Sequence, residues 1–178
     1  MIRRLIILLL IVGCVFAHSS ETNKVDLSEQ LKTLQSYIGK TFKGEFANST
    51  PENTTSDIQH WERALNGNAI KITHSVNNGE YGGESMIMWD AKLGSLVSWY
   101  FTTVGFYTQA TMIIENDKLV SYEKVTGNEN GITEVRAIIN LLSNGELHTK
   151  SDYLQNGKWV DGHEIYYKEA PDAKVLFK

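Results

Sequence analysis

The sequence predicts an all-β protein: a closed antiparallel up-and-down barrel of about ten strands with one short N-terminal helix. Three observations carry this. From Thr41 onward turn signals recur at short intervals: "NGN" at 66–68, "NNGEYGG" at 77–83, "KLG" at 92–94, "NDK" at 116–118, "GNENG" at 127–131, "SNG" at 143–145 and "NGK" at 156–158. The runs between them are rich in Val, Ile, Thr, Tyr, Phe and Trp, the residues that suit a pleated surface. That many strands in one domain of this size favours curling and closure over a flat sheet, because closure removes exposed edges.

The elements follow in chain order. "MIRRLIILLLIVGCVFA" has a basic start at Arg3 and Arg4, an apolar stretch Leu5–Val12, and Val15-Phe16-Ala17 as a cleavage site. It reads as a signal peptide over 1–17, too short to span a bilayer with flanks of its own, and predicts an exported, periplasmic or secreted protein. Cys14, the single cysteine, lies in "IVGC", which resembles a lipoprotein box. A lipid anchor at Cys14 is therefore the alternative to a cut after Ala17. Neither reading leaves a disulfide in the exported domain, so its stability rests on its core. A polar spacer covers 18–26, the barrel domain 27–170, and a C-terminal tail 171–178.

"VDLSEQLKTLQSYIG" places Leu27, Leu31, Leu34 and Ile38 at helical spacing. Asp26 and Glu29 have capping-box spacing, and Gly39 can end the helix. Further on, "SLVSWYFTTVGFYTQATMII" (95–114) has no charge over 20 residues, long enough for a membrane-spanning helix. Its threonines, aromatic residues and central Gly105 instead predict a hairpin, Leu96–Thr103 and Phe106–Ile114, leaving no transmembrane span in the mature chain.

Alternate residues of a barrel strand face the lumen. Placing His60, Glu62, Lys71, Glu134, Arg136, Asn140, His148, Lys150, Asp152, Glu164 and Lys168 outside sends in Trp61, Arg63, Leu65, Ile70, Ile72, His74, Thr133, Val135, Ala137, Ile139, Thr149, Ser151, Tyr153, His163, Ile165 and Tyr167. Glu123 is ambiguous: its strand neighbour Lys124 argues that it points in, yet it is itself charged. This interior is not plainly hydrophobic. One reading is an internal polar network with Arg63 held by Glu123. The other is a cavity whose polar groups orient a bound molecule, lined by Trp61, Arg63, His74, Trp89, Tyr100, Thr102, Tyr153, His163 and Tyr167, with Arg63 the partner for any ligand carboxylate.

Several function classes find no support. The net charge is −4 with no basic patch, against nucleic-acid binding. No phosphate-binding glycine loop, H-E-x-x-H or G-x-S-x-G motif occurs. Acid–base pairs would need Glu84, Asp90 and Glu123 to be gathered by the fold. His74 and His163 could converge on a metal or haem across the barrel. "NST" at 48–50 and "NTT" at 53–55 match glycosylation acceptors.

"LQSYIGKTFKGEF", "WERALNGNAIKITHSVNNGEYGGESMIMWD", "YFTTVGFYTQATM", "EKVTGNENGITEVRA" and "LQNGKWVDGHEIYYKE" together resemble a bacterial domain-of-unknown-function family grouped with the lipocalin-like (calycin) barrels. The resemblance runs from Leu34 to Glu169 and implies a ten-stranded barrel with a short N-terminal helix. "GKTFKG" is more distantly similar to the glycine–x–tryptophan–x–glycine opening of nitrobindin-type haem barrels, with Phe42 in place of the tryptophan. That similarity implies haem held by a late histidine, here His163. The expected function is the binding of a small apolar or amphipathic molecule in the lumen. The alternatives are a haem-dependent or acid–base isomerase or hydrolase using the same lumen, and a structural or interaction barrel with a filled core.

Overall fold

A computed structural model describes residues 26–125 and 130–178. The predicted leader with Cys14, nearly all of the spacer and most of the "GNENG" turn lie outside the described residues. Ten strands form one closed antiparallel barrel: β1 (Thr41–Phe46), β2 (Ser56–Ala64), β3 (Ala69–Val76), β4 (Tyr81–Asp90), β5 (Ser95–Thr102), β6 (Tyr107–Glu115), β7 (Lys118–Lys124), β8 (Ile132–Leu141), β9 (Leu147–Gln155) and β10 (Lys158–Glu169). Each strand pairs with the next, and β1 closes the ring by pairing with β10, Gly44 opposite Tyr167 and Phe46 opposite Ile165. The uncharged run is the β5–β6 hairpin, with Leu96 opposite Met112 and Phe101 opposite Tyr107. No helix among the described residues is long and apolar enough to cross a membrane.

Turn chemistry sets the register. Asn116 and Asp117, and Asn156 and Gly157, all have positive φ in two-residue loops. Such turns twist with the strands they join, and only Asn, Asp and Gly tolerate the conformation well. The outer face is marked by cross-strand ion pairs, Lys71 with Glu62 on β3 and β2, and Arg136 with Asp152 on β8 and β9. These half-buried pairs still reach solvent and contribute modest stability, but they fix which parity is outside.

The N-terminal helix departs from expectation. It is a 3₁₀ helix over Glu29–Tyr37, and Ser28 at its start makes no side-chain cap. The capping box is therefore not formed; the Leu27 N–H is met instead by Gln35 Oε1 at 2.9 Å. In a 3₁₀ helix residues three apart eclipse. Leu31, Leu34 and Tyr37 have that spacing and are the buried ones, whereas the α-helical reading chose Ile38 over Tyr37. The helix plugs one end of the barrel. Tyr37 packs on Trp61 with ring centroids 4.7 Å apart, and its hydroxyl accepts the Leu141 N–H at 2.9 Å. Gly39, at φ 81°, turns the chain into β1.

The hydrophobic core sits at this plugged end, where Leu31, Leu34, Phe42, Trp61, Ile70, Ile87, Leu119 and Leu147 are fully or almost fully buried. The C-terminal tail lies outside the barrel and covers Ser75, whose hydroxyl oxygen accepts the Leu176 N–H at 3.1 Å. Leu34→Ala should destabilise the fold by about 2–5 kcal/mol. Leu93→Ala, at a residue 59% exposed, should stay within about 0.5 kcal/mol of wild type. Urea denaturation of the two variants checks the difference.

Candidate ligand cavity

Above the apolar floor the inward side chains become small. Ser85, Ser98, Ala110, Ser121, Ala137 and Thr149 come from β4, β5, β6, β7, β8 and β9, and together leave a cavity of about 350 Å³. Trp61, Ile72, Ile87, Met112 and Ile139 border it on the floor side. Toward the unplugged end it meets a mouth of about 580 Å³ edged by Phe46, Asn48, Thr55, Val76, Tyr81 and Ile165. Asp57, His74, His163 and Tyr167 line both spaces. An apolar floor with a few convergent polar groups is the usual build of a small-molecule site.

The polar groups form a chain. Asp57, with its side chain only 5% exposed, lies 2.9 Å from His74 Nδ1 through Oδ1 and accepts the Tyr167 hydroxyl at 2.9 Å through Oδ2. His74 Nε2 is 2.7 Å from the Tyr100 hydroxyl, which is in turn 2.9 Å from the Tyr81 hydroxyl at the mouth. Burial, with the Tyr81 contact and the nearby Asp57 and Glu123 adding to it, drives the Tyr100 pKa far above that of an ordinary phenol. Burial raises Tyr167 in the same way, reinforced by Asp57. Both hydroxyls therefore stay protonated and serve as donors. Deeper in, Trp61 Nε1 donates to Gln59 Oε1 at 2.8 Å.

Two glycines make room for the rings. A Cβ on Gly44 would meet the Tyr166 carbonyl at 2.6 Å and the Tyr167 ring at 3.0 Å. One on Gly83 would collide with the Phe101 carbonyl and lie 2.6 Å from the Tyr100 ring. The two tyrosines can therefore lie flat against the wall without filling the lumen.

Of the residues the sequence singled out, Trp61, His74, Tyr100, His163 and Tyr167 line the cavity. Tyr153 stands at the rim, its ring 5.9 Å from that of His163. The other three lie elsewhere. Arg63 has inward parity but sits at the plugged end, where its Nε donates to the Asp26 carbonyl at 3.2 Å. It neither pairs with Glu123 nor lines the cavity. Trp89 packs against the core near the helix, beside a small hollow with Gln30 and Leu96. Thr102 caps the β5–β6 turn, its hydroxyl donating to the Phe106 carbonyl at 2.9 Å. Leu65, also expected inside, is 62% exposed because the chain leaves β2 at Ala64.

The sequence reading missed Asp57, Gln59 and Tyr81. Asp57 and Gln59 share the parity of Trp61, so the alternation contained them. The rule that charges face outward hid Asp57. Glu123 resolves inward: it lines the cavity, and burial raises its carboxyl above the ordinary glutamate value, partly offset by a hydrogen bond from Thr108.

Among the described residues no group of three or more His, Cys, Asp or Glu is gathered as a metal would require. Haem fits poorly as well. His74 faces the cavity with both ring nitrogens engaged, and His163 is an exposed rim residue set edge-on to Phe46 at 5.2 Å. The class the fold and site define is a ten-stranded antiparallel barrel, plugged at one end, with a polar and aromatic lumen at the other. No family model matches the chain, and no curated protein matches its sequence.

Because Glu123 releases its proton less readily folded than unfolded, the unfolded state binds fewer protons between the ordinary value of 4.5 and the raised one. Stability should therefore fall as pH rises through that window, and Glu123→Gln should flatten the fall. Urea denaturation of both proteins from about pH 4 upward measures it.

Proposed function

We propose that this protein is an exported, lipocalin-like barrel that binds a small apolar or amphipathic molecule in its lumen. The observation that carries the reading is the belt of small side chains, Ser85 to Thr149, between an apolar floor and the Asp57–His74–Tyr100 chain. A barrel built to be full would carry larger residues at those levels. Trp61, Ile72 and Ile87 would take the apolar part of the ligand, and the polar chain would orient its other end. Export rests on the leader at 1–17, with a lipid anchor at Cys14 as the alternative processing.

Phenylnaphthylamine, a neutral fluorophore that brightens in apolar surroundings, tests the reading. The wild-type protein should bind it. Ser98→Phe and Ser121→Phe, which fill the belt, should abolish the signal while the fold persists by circular dichroism. Tyr107→Ser, on the outer face of β6, should leave it intact. Binding that survives both belt substitutions would place the probe outside the lumen and reject the proposal.

One observation favours a second reading, acid–base catalysis in the same lumen. Asp57, His74, Tyr100 and Tyr81 make an unbroken line of hydrogen-bonding groups from a buried carboxylate to the mouth. Such a line can orient an imidazole and pass a proton through it. Turnover of a chromogenic ester or an unsaturated ketone that is lost in Tyr100→Phe, with fluorophore binding retained, would support it. Equal turnover in both proteins would reject it.

A further inference from the structure

The charges that face the lumen can be taken strand by strand. β2 supplies Asp57 and β7 supplies Glu123; β3 and β10 supply His74 and His163. Tyrosines apart, the cavity-lining residues of the other strands are not ionisable, with one exception. Lys150 on β9 borders the cavity, but its ammonium turns out to Asp161 Oδ1 at 3.0 Å. Arg63, the remaining candidate cation, is held at the plugged end by the Asp26 carbonyl. Among the described residues, then, no lysine or arginine places its charge in the lumen.

The two carboxyl groups are not equivalent. Asp57 is met by His74 and Tyr167. Among the described residues Glu123 is met by the neutral Thr108 hydroxyl, and Thr108 itself sits opposite Tyr100 on β5. Glu123 and the Tyr100 ring thus flank Thr108 on one stretch of wall. A carboxylate away from water is costly unless a cation meets it, and burial indeed holds the Glu123 carboxyl above its ordinary range. An aromatic face beside it adds a second attraction for a cation.

We propose that the lumen receives a protonated amine with a short apolar tail, its ammonium against Glu123 beside Tyr100 and its tail running down the belt to Trp61 and Ile87. This rests on the lumen-binding reading and adds the sign of the ligand's charge. A carboxylate ligand of the same size would meet Glu123 and Asp57 with no lysine or arginine charge to offset them, the His74 ring being already engaged by Asp57. A neutral alcohol would bind through its tail alone.

Octylamine, octanol and octanoate share one tail and differ in charge. Isothermal titration near neutral pH should give an affinity for octylamine about tenfold or more above that for octanol, with octanoate weakest. Glu123→Gln should bring octylamine down to the octanol level and leave octanol unchanged. Ser121→Phe should remove octylamine binding, which excludes attachment to the acidic outer surface. Octanoate binding as tightly as octylamine, an amine preference that survives Glu123→Gln, or octylamine binding that survives Ser121→Phe would each overturn the assignment. If phenylnaphthylamine binds and none of the three does, the amine is rejected while lumen binding stands. If phenylnaphthylamine fails to bind as well, both fall together.

Discussion

The ladder between β1 and β10 is the constraint on which the rest depends. Gly44 must lie opposite Tyr167 for the sheet to close. Only a closed sheet turns the two-residue alternation of every strand into an inside and an outside. Closure also gives each of the ten strands two neighbours, so none is left as an edge open to pairing with another chain. The partners in this ladder come from opposite ends of the domain. Its contacts are therefore among the least local in the protein and the slowest to gain during folding.

Within the closed ring, side-chain size divides the labour along the axis. Leu31, Leu34 and Tyr37 on the 3₁₀ helix complete an apolar plug with Phe42 and Trp61. That end supplies hydrophobic stabilisation, while the serines and alanines above it contribute little packing. The open half can be polar because its groups satisfy one another. Asp57 has two donors, and among the described residues no buried side-chain nitrogen or oxygen lacks a partner. Without those partners a buried carboxylate or imidazole would weigh against the folded state.

Much of this was legible in the chain. Lys71, Arg136, Asp152 and Glu164 announced the outer parity of their strands, and Asn116-Asp117 and Asn156-Gly157 announced the hairpins. Five of the nine singled-out residues, Trp61, His74, Tyr100, His163 and Tyr167, line the cavity as alternation implies. Arg63 and Trp89 failed for another reason. Parity tells which face a residue occupies but not its height along the barrel axis, and both stand at the plugged end. Asp57 carries no such signal in the sequence, since nothing there shows the partners on β3 and β10 that let a carboxylate face inward. Tyr37 lies off an α-helical stripe because the helix repeats every three residues, which puts Leu31, Leu34 and Tyr37 on one face.

The sequence by itself determined the strand count, the turns, the antiparallel order and the alternation, because these depend on neighbours in the chain. Only the tertiary structure decided which inward residues share a level. It brought Asp57, His74, Tyr100 and Tyr167 together from four strands, left Glu123 with a neutral partner, and held Arg63 away from both. Those outcomes depend on the stagger between strands as the sheet closes. That stagger is a property of the whole ring, and no single segment encodes it.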